Sequence, residues 1–207
     1  MNSHLHFDHI GDLTPFSKSG SLLVVGGEAK ECIESTGYPT NPDSQWASLP
    51  DSQVVVYLDF SASYLERDSL PWLSGFDKDP VPIQRVGLYP KGVDLFADGS
   101  LYLLDAPGHF PGHLNALARV SPNRFILLAA DCCHHRSCYD PGERLVGRFN
   151  HSDIKVARET VEIVKRMSQK EEVVVVLAHE NERLEEGMPV FPMRLNEWAG
   201  RRSLTTA

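Results

Sequence analysis

No stretch of this 207-residue chain approaches 18 apolar residues, so no membrane-spanning helix is expected. The N-terminus has neither the basic nor the apolar segment of a secretory signal. Cysteine is scarce: there are four, and Cys132, Cys133 and Cys138 crowd into seven positions far from Cys32. A disulfide framework would spread them more widely, so reduced thiols and a cytoplasmic protein are expected. Basic residues are outnumbered, 20 Lys+Arg against 28 Asp+Glu, for a net charge of −8. A surface of that sign attracts neither nucleic acid nor an anionic membrane, and neither is expected as a partner. A small anionic substrate is still allowed, because a bound cation reverses the local field. The chain has no internal repeat and no low-complexity tract, and its length suits one domain, 1–207, with a real core.

Glycine, proline and polar clusters punctuate the rest. "SLLVV" (21–25) reads as a short buried strand, followed by the Gly26-Gly27 turn and a helix over "EAKECIES" (28–35). Residues 36–52 read as a loop, and "QVVVYLDF" (53–60) as a strand or extended segment. Residues 68–82, with three prolines and the anchors Trp72 and Phe76, read as an irregular loop able to flank a pocket. Apolar runs around Asp98-Gly99 predict a hairpin within 93–109, and 115–120 with 124–131 predict a second strand pair. Over 152–169 the spacing predicts a helix, with Ser152 as N-cap and Ile154, Ala157, Val161 and Val164 on one apolar face. "EVVVVLAH" (172–179) reads as a buried strand that ends in a histidine. The tail "RRSLTTA" (201–207) reads as frayed. The class is α/β (α+β), strand-rich, with about two longer helices.

Chemistry concentrates in a few places. "SHLHFDHIGD" (3–12) holds three histidines and two aspartates. Later come His109 and His113 in "APGHFPGH", Asp131 closing "FILLAAD", His134 three residues on, and His179 closing "VVVVLAH". Neutral imidazole and carboxylate are the usual ligands of zinc and similar cations. In extended backbone His4 and His6 point to one side and can reach one ion, while Asp8 and His9, past a turn, could face a second. Each later candidate sits at a strand end or a glycine turn, a rigid place with an exposed tip. Seven such groups suit two ions: three histidines on one, two histidines and an aspartate on the other, and a bridging carboxylate. A water shared between two cations would be largely hydroxide at neutral pH.

"HLHFDH" resembles the HxHxDH motif of the metallo-β-lactamase superfamily. "APGHFPGH" resembles its third metal motif, Asp131 its bridging aspartate and "LAHEN" its final histidine motif, in the right order over residues 4–179. The resemblance implies an αββα sandwich and two divalent metal ions, zinc first among them. It places His4, His6 and His109 on the first ion, Asp8, His9 and His179 on the second, and Asp131 between. His113 would then support the site through hydrogen bonds. "SHLHFDHIG" and "PGHFPGH", with an aspartate downstream, look most like the N-acyl homoserine lactone lactonase branch. That branch has a substrate-contacting tyrosine three residues after the bridging aspartate, where this chain has His134.

The implied activity is hydrolysis of a lactone or related ester by a hydroxide bridging two metal ions. Asp8 and Asp131 would be catalytic, and His134 either an acid or a solvated loop histidine. Phe7, Trp72, Phe76, Phe110 and Phe149 are candidates for an apolar wall. Alternatives of the same fold are a glyoxalase-II-like thiolester hydrolase and a β-lactamase; one of another class is a non-catalytic metal-binding remnant. Cys132 and Cys133 are expected to pack as small apolar groups rather than to form a zinc knuckle. His135 and His151 are expected at the surface. Only three residues precede His4, whereas the resembled fold has strands before this loop. The expectation is therefore a domain without its N-terminal strands, its exposed sheet covered by an N-terminal segment or a second copy.

Overall fold

The computed structural model describes residues 1–17, 20–35, 53–66, 80–190 and 192–201. Two short helices come first, α1 (Phe7–Ile10) and α2 (Thr14–Ser17). The strands β1 (Leu23–Gly26) and β2 (Val55–Leu58) pair in parallel, with α3 (Ala29–Ser35) between them in sequence. The short strands β3 (Tyr64–Leu65) and β4 (Val81–Pro82) pair antiparallel. Next, β5 (Gln84–Val86), β6 (Tyr89–Asp94), β7 (Leu101–Asp105), β8 (Leu114–Ser121) and β9 (Arg124–Ala130) form an antiparallel meander, each pairing with the next. The helix α4 (Ile154–Ser168) crosses over, and β10 (Val173–Leu177) returns parallel to β9. The result is a six-stranded sheet in the order β10-β9-β8-β7-β6-β5. The helices α5 (Glu182–Glu185) and α6 (Asn196–Arg201) follow.

Alternation along the strands builds the layers. Leu23 and Val25 of β1 pack outward with Ile10, Ala29 and Ile33, while Val24 packs inward with Val56 and Leu58 against Val93, Leu103 and Ala116 of the large sheet. On that sheet's other face Leu104, Leu127 and Ala129 meet Val161, Val164 and Met167 of α4. Helix, sheet, sheet, helix is the αββα sandwich expected from the sequence. A further cluster joins Ile126 and Val174 to Trp198 and Ala199 of α6.

Two local expectations need correction. Ser152 does not cap α4. Asp153 does, its carboxylate accepting from the backbone N–H of Lys155 and Val156. Ser152 is drawn away because its hydroxyl donates to the carbonyl of His109. The expected loop at 68–82 ends earlier, since Val81–Pro82 pairs with Tyr64–Leu65. Proline is tolerated there because the ribbon is only two strands wide and the missing N–H can face outward. The loop at 36–52, Trp72, Phe76 and the tail after residue 201 lie outside the described residues.

One close approach ties the crossover helix to the loop after β7. Gly108 has φ +113°, and a Cβ there would stand 2.2 Å from the backbone N of Ala157. Backbone meets backbone, so no side-chain adjustment could make room. Gly108→Ala should lower the unfolding free energy by about 2 kcal/mol or more, and Asp153→Ala by about 1 kcal/mol. Urea melts check both. An unchanged midpoint for Gly108→Ala would show that this contact is not tight.

Candidate functional site

The site forms where the two sheets open at one edge. Residues 2 and 3 are held by backbone bonds, Asn2 N–H to Val24 O (3.0 Å) and Leu114 N–H to Ser3 O (2.8 Å). His4 therefore enters between the layers and is buried. His6, in extended backbone, directly precedes α1, and the first turn of that helix carries Asp8 and His9. His109 follows Gly108 in the loop between β7 and β8. Asp131 follows Ala130, which takes a left-handed φ of +43° where the β9–β10 register shifts. A side-chain-bearing residue in that conformation is strained, and it turns Asp131 inward. His179 leaves β10 on a loop clamped by Glu180, which accepts from Leu177 N–H and pairs with Arg183 (3.2 Å).

These elements bring three ring nitrogens together. His4 Nε2 lies 3.0 Å from His6 Nδ1 and 3.1 Å from His109 Nε2, and His109 Nε2 lies 3.1 Å from His6 Nδ1. Beside them, Asp131 Oδ2 is 3.8 Å from His4 Nε2, 3.7 Å from His109 Nε2, 3.3 Å from His9 Nε2, and 3.2 Å from both His134 Nε2 and His179 Nε2. Asp8 Oδ2 completes the other side, 3.8 Å from His9 Nε2 and 3.5 Å from His179 Nε2. Among the described residues, the groups spaced to hold a metal ion are His4, His6, His109 and Asp131; Asp8, His9 and His179; and Asp131, His134 and His179. All seven side chains singled out in the sequence thus meet at one place. His134 meets them too, its ring stacked 5.4 Å from that of His179.

Burial keeps the inner imidazoles neutral. Desolvation, reinforced by His113 and by each other, lowers His4 and His109 to about 2. His6 is also lowered, because burial outweighs the attraction of Asp131 and Asp8. Asp131 is desolvated as well, but the hydrogen bond from His134 and the surrounding histidines hold its carboxyl well below the usual range. Three unprotonated nitrogens within about 3 Å, next to an ionised carboxylate, repel one another unless a cation lies among them. The donor set therefore fits a divalent metal ion.

His113 is fully buried, its ring 5.2 Å from that of His4 and 5.3 Å from that of His109. Its Nδ1–H donates to Ala106 O (2.9 Å), and its Nε2 accepts from Asp131 N–H (3.3 Å), so it holds Asp131 through the backbone. His151, expected at the surface, is half-buried against the site, with its Nδ1 3.1 Å from Nδ1 of His109 and its ring beside that of His134. Burial and His134 lower it to about 4. Nothing local could have revealed this, because the contact spans 42 residues of sequence. His135 caps the one-turn helix at 136–138 instead of standing free. Phe110 packs on the His6 ring, whereas Phe7 and Phe149 are exposed, at 78% and 98%. Cys132 and Cys133 are buried in the core beside α4, and no disulfide links any of the four cysteines among the described residues. No helix among the described residues is long and apolar enough to cross a membrane.

The depressed histidines fix the sign of one pH dependence. Their folded values lie below the ordinary 6.5, so below that pH the unfolded chain takes up more protons and stability falls. The loss begins near pH 6.5 and continues to about 4, where His113 and His151 protonate in the folded state. Asp105, raised by burial to about 6, works in the opposite sense but is one group against four. Chelator-treated protein should therefore show a Tm that drops steadily as pH is lowered from about 7 to about 5. A flat profile would contradict the neutral inner cluster.

No family model matches the chain. It is 32% identical over 224 residues to the cytochrome P450 monooxygenase mpaDE' of Penicillium brevicompactum, covering 96% of this chain and 24% of that protein. It is 29% identical over 234 residues to metallo-hydrolase mfmC of Annulohypoxylon moriforme, covering 95% of this chain and 56% of that protein. Its fold is similar to that of an N-acyl homoserine lactone hydrolase solved with N-hexanoyl-L-homoserine at its catalytic metal centre. There the TM-score is 0.58 at 18% identity, over 93% of this chain and 59% of that one. The chain thus spans between about a quarter and three fifths of the length of these three proteins. With the HxHxDH loop, the Asp131 strand end and the αββα layers in place, the chain has the fold of that lactone hydrolase and is similar in sequence to a metallo-hydrolase over nearly its whole length.

Proposed function

We propose that this chain is a metal-dependent hydrolase and that its substrate is a lactone or related ester. The observation that carries this reading is the convergence of His4 Nε2, His6 Nδ1 and His109 Nε2 within 3.1 Å, beside the ionised Asp131. His4, His6 and His109 would hold one divalent ion and Asp8, His9 and His179 a second, with Asp131 between them. Zinc suits such a donor set. When bound, such ions supply Lewis acidity and lower the pKa of a nearby water. The lactone preference leans on the solved lactone hydrolase of the same fold.

The chain's own groups divide the remaining work. Asp131 Oδ1 is buried and has no protein partner, so it is the acceptor that can orient a water for attack on the substrate carbonyl. The water's oxygen bonds to the carbonyl carbon as one of its protons passes to Asp131; collapse of that adduct breaks the ring C–O bond, and the leaving alkoxide needs a proton. His134 is about a third exposed on the open side of Asp131, placed to supply it. Exposed Phe7, between His6 and Asp8 in sequence, and exposed Phe149, two residues before His151, are the candidates for holding an apolar substrate arm. Asp8 holds His9 and His179 in place from the opposite side.

A panel of lactones, thiolesters and β-lactams, run with metal analysis, tests the substrate class. Lactone turnover lost on chelation and restored by Zn is expected; turnover of thiolesters or β-lactams alone would move the assignment to those substrates. Metal bound without any turnover would make the chain a binding protein. Asp131→Asn and His109→Ala should each lower kcat/KM by about 10²-fold or more. His134→Phe should lower kcat by about 10²-fold with KM nearly unchanged. A His134→Phe variant as fast as the parent would remove His134 from the chemistry.

A further inference from the structure

The contact between His109 and His151 is a hydrogen bond between two imidazoles that ordinarily compete for one proton. Their Nδ1 atoms stand 3.1 Å apart, so one carries hydrogen and the other accepts. If His151 donated, the proton of neutral His109 would lie on Nε2, facing His4 Nε2 and His6 Nδ1 at 3.1 Å, and the three-nitrogen face would be blocked. If His109 donates, its Nε2 lone pair is free. We propose that His151 is a positioning residue: it accepts from Nδ1–H of His109 and so holds His109 in the one tautomer able to ligate a metal ion. The inference rests on the metal reading under Proposed function.

Three further observations agree with it. Among the described residues, His151 is the one hydrogen-bond partner of His109 Nδ1, the place usually taken by a carboxylate or a carbonyl. As acceptor at Nδ1, neutral His151 must carry its own proton at Nε2, which is buried without a protein partner. His151 lines a cavity of about 110 Å³ shared with His134, Arg144 and Asn150, polar and large enough for the water such an N–H requires. The backbone around His151 is tied independently, by Ser152 N–H to His109 O (2.9 Å) and Asp153 N–H to Gly108 O (2.9 Å). The imidazole can therefore be exchanged without freeing the loop.

Two variants separate the tautomer role from simple packing. His151→Asn keeps an acceptor oxygen near the position of Nδ1, and His151→Leu fills similar space with none. Metal-free protein is titrated with Co(II), followed by its visible absorption, and melted in parallel. His151→Leu should bind Co(II) about 10- to 100-fold more weakly than the parent, with His151→Asn close to the parent and all three metal-free melts alike. The inference is overturned if His151→Leu binds Co(II) as tightly as the parent, or if His151→Asn loses as much as His151→Leu. A parent that takes up no Co(II) would instead overturn the metal reading, and this inference with it.

Discussion

A single carboxylate oxygen organises the mouth of the sandwich. Oδ2 of Asp131 has the Nε2 atoms of His4, His9, His109, His134 and His179 at 3.2 to 3.8 Å, contributed by four separate stretches of chain. A buried charge is expensive unless it is surrounded by partners, so every element that supplies one must be held in place. Ala130 in its left-handed turn aims the carboxylate, and His113 grips its backbone N–H from beneath. The Glu180–Arg183 pair steadies the His179 loop, and the backbone bonds of residues 2 and 3 seat His4.

The site is graded from dry to wet. His4 and His109 lie in the sandwich, where desolvation strips their protons and leaves lone pairs for a cation. His179 and His134 stand at the opening, with side chains 42% and 32% exposed, within reach of a solute. The same framework thus runs from buried imidazoles on its inner side to solvent-accessible ones on its outer side. The glycines make the inner side possible: at Gly108 the metal-site loop lies directly on the backbone of α4, which no side chain would permit.

Much of this was legible before any coordinates. Neutral imidazoles and carboxylates at fixed spacings, in a set order along the chain, pointed to the seven residues that now lie together. Apolar runs bounded by turn residues located the strands, and the 152–169 spacing located α4, one residue off at its cap because Ser152 had a better acceptor across the fold. His151 was read wrongly for a related reason. Beside a helix start it resembles any surface polar residue, and its contact with His109 is closed only by the crossover of α4.

The amino-acid sequence by itself determined which chemistry was available: nitrogen and carboxylate donors in a fixed order, few cysteines, and a net charge of −8. Residue type and local periodicity suffice for that. Tertiary structure alone decided which nitrogen of each ring faces inward, which imidazoles lose their protons to burial, and that His113 and His151 stand behind the cluster while His134 stands in front. Those properties depend on distances between residues far apart in the chain, and on how much water the packed layers leave around each one.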